Sequence, residues 1–163
     1  MIFTCSRQIA FAALFIAGGA RPIRAQSTTQ TVSFSISAIN QIAFVGAPSL
    51  TVTAAAPGAA PSSVTDATAT WAVTTNQSGA KITASIPAVM PAGLTLSSSL
   101  APPAGAASAG FQALTTVAVD LVTGITKVAQ GLMVVTYRLD ATPAAGVVSS
   151  GTRIVTYTIT GGT

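Results

Sequence analysis

Few side chains in this chain can do chemistry. Its 163 residues hold seven Lys or Arg, three Asp, no Glu and no His. The single cysteine is Cys5. A serine nucleophile therefore lacks its usual imidazole base, and a thiolate mechanism would rest on one cysteine near the start of the chain. The three carboxylates Asp66, Asp120 and Asp140 could in principle meet in space as a glycosidase pair. Their settings suggest simpler roles. Asp66 lies in a Pro/Gly/Ser-rich stretch, Asp120 at a strand end and Asp140 before a turn, all common places for a turn or capping Asp. Ligand spacings for zinc or calcium are missing, as is a phosphate-binding glycine loop. The expectation is a protein that is not an enzyme, with no catalytic, cofactor-binding or metal-binding residues and no cofactor.

Trp71, Tyr137 and Tyr157 could stack on a sugar or other ligand. Each shares its strand parity with apolar neighbours: Val73, then Val135 and Leu139, then Val155 and Ile159. Core packing is the better expectation. Asn76-Gln77-Ser78 matches an N-glycosylation sequon, a pattern of low specificity, and reads more simply as a turn.

The elements that would position these groups begin after a segment that is itself a candidate for removal. Arg7 is followed by an apolar run, Ile9 to Ala20, and then by Ile23-Arg24-Ala25. A short positive lead, an apolar run of this length and a small residue at the end mark a secretory signal peptide. Cleavage is expected after Ala25, with Ala20 as the other candidate. The mature chain, 26–163, then has no cysteine and hence no disulfide, although export normally permits them. It keeps Lys81, Lys127, Arg138 and Arg153 against the three Asp, a balance of +1. No basic stripe remains to neutralise phosphates, so nucleic acid is not an expected partner. Seven charges on a mature chain of this length is far below the ~25 % of ordinary domains. Interspersed charge normally keeps lone domains apart. Its scarcity suits a protein that lives assembled.

Helix periodicity is weak after the leader, and period-two alternation recurs throughout. Strands are expected over Leu50–Ala54, Ala69–Thr74, Ile82–Ile86, Leu94–Leu100, Phe111–Val119, Leu121–Val128, Met133–Leu139 and Arg153–Thr160. Asn76–Gly79 and Ala129–Gly131 read as hairpin loops. Ala55–Asp66, Ala101–Gly110 and Ala141–Gly151 read as longer loops. Eight to ten strands with turn signals about every ten residues predict an all-β fold. The form expected is a single antiparallel β-sandwich, Ig-like or jelly-roll-like, preceded by the signal peptide.

The stretch that organises the rest is Gln30–Val45. Val32, Phe34, Ile36, Ala38, Ile42 and Phe44 share one parity, interrupted only by Asn40. The alternation runs for about fourteen residues, roughly 45 Å at ~3.3 Å per residue, longer than an ordinary strand. Asn40-Gln41 marks a break. Ile42–Val45 belongs to the protein's own core. Thr31–Ile39 could pair either within its own fold or with a neighbouring molecule. The expected organisation is 1–25 signal peptide, 26–39 N-terminal strand and possible donor strand, and 40–163 β-sandwich domain.

This layout resembles secreted bacterial and archaeal filament or pilus subunits of the donor-strand, cysteine-free β-sandwich kind. The resemblance rests on the leader ending at Ala25, the polar lead Gln26–Gln30 and the alternating TVSFSIS at 31–37. It is closer to matrix-fibre proteins and archaeal bundling pili than to chaperone–usher subunits, which usually carry a disulfide. It implies a structural subunit of an extracellular filament, pilus or matrix fibre, polymerising by N-terminal donor-strand complementation. Val32, Phe34, Ile36 and Ala38 would form the subunit interface. The expected partner is another copy of the chain, with cell-surface or matrix components possible and no membrane association once the signal is removed. The other reading is a monomeric cell-surface adhesin or carbohydrate-binding β-sandwich module, presenting a site on loops 55–66, 101–110 or 141–151.

Overall fold

The computed structural model describes residues 24–163. The apolar run and basic lead of the expected signal peptide lie outside the described residues. The chain divides after Ser35, and both sheets belong to the unit Ile36–Thr163. Residues 24–39 carry no strand or helix.

The protein is all-β. Its strands are β1 (Asn40–Val45), β2 (Val64–Thr75), β3 (Ala80–Ser85), β4 (Leu94–Leu100), β5 (Ala107–Ser108), β6 (Gln112–Ala113), β7 (Val119–Ile125), β8 (Val128–Ala141) and β9 (Thr156–Thr160). One 3-10 turn, Pro143–Ala145, is the only helical element among the described residues. One sheet has five strands in the order β1-β2-β8-β4-β6, and the other four in the order β5-β7-β3-β9. Every pairing is antiparallel.

A single core joins the two sheets. Trp71 and Val73 of β2, Leu100 of β4 and Met133 and Val135 of β8 come from the larger sheet, and Ile82 of β3 with Leu121, Val122 and Ile125 of β7 from the smaller. β3 shows the underlying rule most cleanly. Ala80, Ile82 and Ala84 are buried, while Lys81, Thr83 and Ser85 lie on the other face, as a pleat with one dry side requires. The Trp71 indole N–H donates to Ala101 O at 3.1 Å, so the largest core side chain leaves no polar group unpaired.

Several expected elements are built differently. Asn76–Gly79 is not a hairpin, because β2 and β3 lie in different sheets. β2 is already flanked by β1 and β8, and β3 by β7 and β9, so the connection crosses between layers. The loop expected at Ala129–Gly131 is the interior of β8. Trp71 opposes Met133 and Val73 opposes Gln130, which sets two residues, Gly131 and Leu132, against Ala72. This is a β-bulge, with Leu132 at φ 58°, and it bends a long strand without ending it. Phe111–Val119 yields only β6 and the first residue of β7; Thr115 Oγ1 donates to Val117 O at 2.9 Å and closes a turn there. Leu50–Ala54 alternates like a strand but pairs with nothing named, and β9 begins at Thr156, three residues later than Arg153.

Gly46 ends β1 at φ 122°, and a Cβ there would lie 2.8 Å from Ala69 Cα. Both the backbone conformation and the close approach require glycine. Gly58 also has positive φ, 83°, but open space around it. Gly46→Ala should therefore lose about 1–3 kcal/mol of unfolding free energy in denaturant titration, and Gly58→Ala about 1 kcal/mol or less.

Candidate functional site

The three carboxylates are each occupied structurally. Asp66 lies inside β2, at the register shift before Ala69. Its Oδ1 accepts from Thr68 Oγ1 at 2.6 Å and Thr68 N at 2.8 Å, and its Oδ2 from Ser49 N at 2.9 Å. These bonds, the Thr68 hydroxyl first, hold its carboxyl below the usual range. Asp120 pairs with Lys81 at 2.9 Å across β7 and β3. Asp140 pairs with Arg138 at 3.0 Å and accepts from Ser63 Oγ. Arg138 also lies over the Phe111 ring, 4.6 Å from its centroid.

Two other features lack partners. The first is the N-terminal arm. Val32, Phe34 and Ile36 are 75 %, 92 % and 81 % exposed, and Ala38 is exposed too. Among the described residues, the arm's hydrogen bonds to the rest of the chain lie at its root. Asn76 Oδ1 accepts from Ile39 N at 2.8 Å, and Asn76 Nδ2 donates to Ser37 O at 2.8 Å. Asn76 N donates to Ile39 O at 3.3 Å. One amide side chain thus reads residues 37–39 as a neighbouring strand would. Thr75 Oγ1 donates to Asn40 Oδ1 at 2.6 Å beside it. Sequence reasoning saw Asn76 as a turn residue or sequon. Its part in fixing the arm depends on a contact 37 residues away in the chain.

The second is a groove of about 960 Å³ within the 36–163 unit. Leu94 and Leu96 of β4 and Tyr137 and Leu139 of β8 line it from the larger sheet, with Phe44 of β1 and Tyr157 of β9. Residues 48–55 and 148–153 line it as well, together with Val155. These flanking segments share an unusual state. Among the described residues, none of 50–53 or 147–155 takes part in a backbone–backbone hydrogen bond. Leu50, Val52 and Val155 are half-buried, whereas Thr51, Thr53 and Ile154 are exposed. The alternation of a strand is present; its main-chain partner is not. Unpaired peptide edges of this kind are templates for another strand.

The aromatics divide between core and groove. Trp71 is core. Phe44, opposite Trp71 in the β1–β2 register, stacks on it at 5.8 Å between centroids and on Tyr157 at 3.8 Å. The Tyr137 and Tyr157 hydroxyls lie 2.7 Å apart, and Ser98 Oγ is 3.3 Å from Tyr157 Oη. Burial pushes both tyrosines above their ordinary pKa, Tyr157 the further. The expected placement of all three aromatics in the core thus holds fully for Trp71 alone.

Comparison with protein-family models, curated proteins and solved structures finds no match. Function must be argued from the arm and the groove themselves.

Two outcomes follow. The folded tyrosines hold their protons above the unfolded pKa of ~10, so the stability they contribute is complete below that pH and is lost as pH rises further. Tyr157→Phe should lower stability at neutral pH by about 0.5–1.5 kcal/mol per lost bond yet flatten its decline above pH 10, read by denaturant titration across pH. Asn76→Ala should speed amide exchange at Ile39 while leaving core strands unchanged, measured by hydrogen exchange.

Proposed function

We propose that the chain is a structural subunit of an extracellular filament, pilus or matrix fibre. It is exported by the signal peptide 1–25, folds as a β-sandwich from its two sheets, and polymerises by donating the segment Thr31–Ile39 to a neighbouring copy. The observation that carries this reading is the arm: three large apolar side chains on one parity, nearly bare, with no strand partner among the described residues.

The magnitudes favour assembly over leaving the arm in water. Burying each of Val32, Phe34 and Ile36 contributes ~1.5–3 kcal/mol. Association costs an estimated 4–15 kcal/mol, a range that side-chain burial alone covers only at its lower end. Main-chain pairing adds ~0.5–1.5 kcal/mol per hydrogen bond. An arm that gains both holds a polymer more firmly than one that merely rests on an apolar patch. The low charge of the mature chain is consistent with this, since little repulsion opposes close packing of copies.

The reading is tested on the mature protein by light scattering and electron microscopy. Fibres or concentration-dependent oligomers are expected from 26–163. Deleting 26–38 should leave a folded species that no longer assembles. Unchanged polymers after the deletion, or a monodisperse monomer of the intact mature chain at every concentration, would contradict it.

A further inference from the structure

Resting on the strand-donation reading, we propose that the acceptor on the neighbouring copy is the groove between residues 48–55 and 148–155, and that the arm enters it as the missing strand between those two segments. The observations meet from both sides. The arm segment 31–38 and each flanking segment are eight residues long, so an extended arm of roughly 26 Å at ~3.3 Å per residue spans segments of equal chain length. Among the described residues the arm has no strand pairing, only Ser37 O being held by Asn76, and it has one apolar face. Among the described residues, 50–53 and 148–155 make no backbone–backbone hydrogen bond, and Leu50, Val52 and Val155 are half-buried. A strand seated between them would pair on both edges and lay Val32, Phe34, Ile36 and Ala38 toward Leu96, Tyr137 and Leu139, which line the groove from the larger sheet.

The sheet imbalance points to the same occupant. The larger sheet has five strands and the smaller four, and β9 is an edge strand of the smaller. The chain leading into β9, residues 147–155, continues past the last β3 pairing, Ser85 with Thr156, and so has lost its neighbour on that side. An added strand along the edge that β9 leaves open, away from β3, is the fifth of the smaller sheet. The occupant suits small polar residues on its outward face, since Thr51 and Thr53 beside it are exposed. Ser33, Ser35 and Ser37 supply that face in the arm.

The test uses two variants of the full mature chain. Val52→Arg sets a charge in the groove and leaves the arm intact; Phe34→Asp spoils the arm and leaves the groove intact. Each alone should remain monomeric by size-exclusion chromatography with light scattering. Their mixture should give a discrete one-to-one heterodimer and nothing larger, because one arm and one groove remain. Polymers from Val52→Arg like those of the wild type would overturn the groove assignment while leaving strand donation standing. Polymers from Phe34→Asp would overturn strand donation itself. Should Val52→Arg fail to fold, hydrogen exchange on the wild type decides without substitution. Amides of 51–53 and 149–154 should be unprotected in the monomer and at least tenfold slower in the polymer. Amides there that stay fast in a polymer whose arm is protected would place the acceptor elsewhere.

Discussion

Incomplete main-chain hydrogen bonding is the constraint on which the rest of this structure depends. A peptide group must find a partner in the protein or in water. The two sheets satisfy that demand through seven antiparallel pairings and stop short beside the groove. There, residues 50–53 and 148–155 border the groove without a backbone–backbone hydrogen bond among the described residues. The core beside them is fully packed: Ile82, Leu100, Leu121, Val122, Ile125 and Val135 are all completely buried. The deficit is therefore local, and it lies where Phe44, Tyr137 and Tyr157 replace aliphatic packing with stacked rings and a hydroxyl chain.

Tethering of the arm follows a related logic. Asn76 carries a donor and an acceptor on one amide, which is what a backbone edge offers. By bonding Ser37 O and Ile39 N it fixes where the arm leaves the body without paying out further strand. Thr75 and Asn40 lock the next residue pair. In the proposed assembly, this polar root sets the arm's starting point, and the apolar parity beyond it supplies the adhesion. Few charges in residues 26–163 leave both contributions largely insensitive to ionic strength.

The sequence made the fold class legible because side-chain parity reports which face of a strand is dry. Ile82, Ala84, Met133 and Val135 could all be placed inward from alternation alone. It also showed where Gln30–Val45 breaks, since Asn40 interrupts the apolar parity, and β1 begins there. Parity cannot report a strand's partner. Leu50–Thr53 and Arg153–Val155 alternate as well as any paired strand, and only the three-dimensional arrangement shows that they make no backbone–backbone hydrogen bond among the described residues. Asn76–Gly79 has hairpin composition but bridges two layers, because the pairing edges of β2 and β3 were taken by strands remote in sequence. Ala129–Gly131 carries turn residues, yet a bulge used them to bend β8. The groove itself could not be foreseen, for it is made by residues from five separate stretches, and Asn76 draws its importance from a contact with the arm's root.

The central claim is that one copy's missing strand is another copy's arm. An electron cryomicroscopy reconstruction of assembled mature protein tests it most directly. The account predicts continuous strand density between 50–54 and 152–155 of each subunit, with the Phe34 ring directed into the groove and the connection traceable through Ile39 to the next subunit's Asn40. A groove that is empty, or filled by the arm of the same copy, would contradict it.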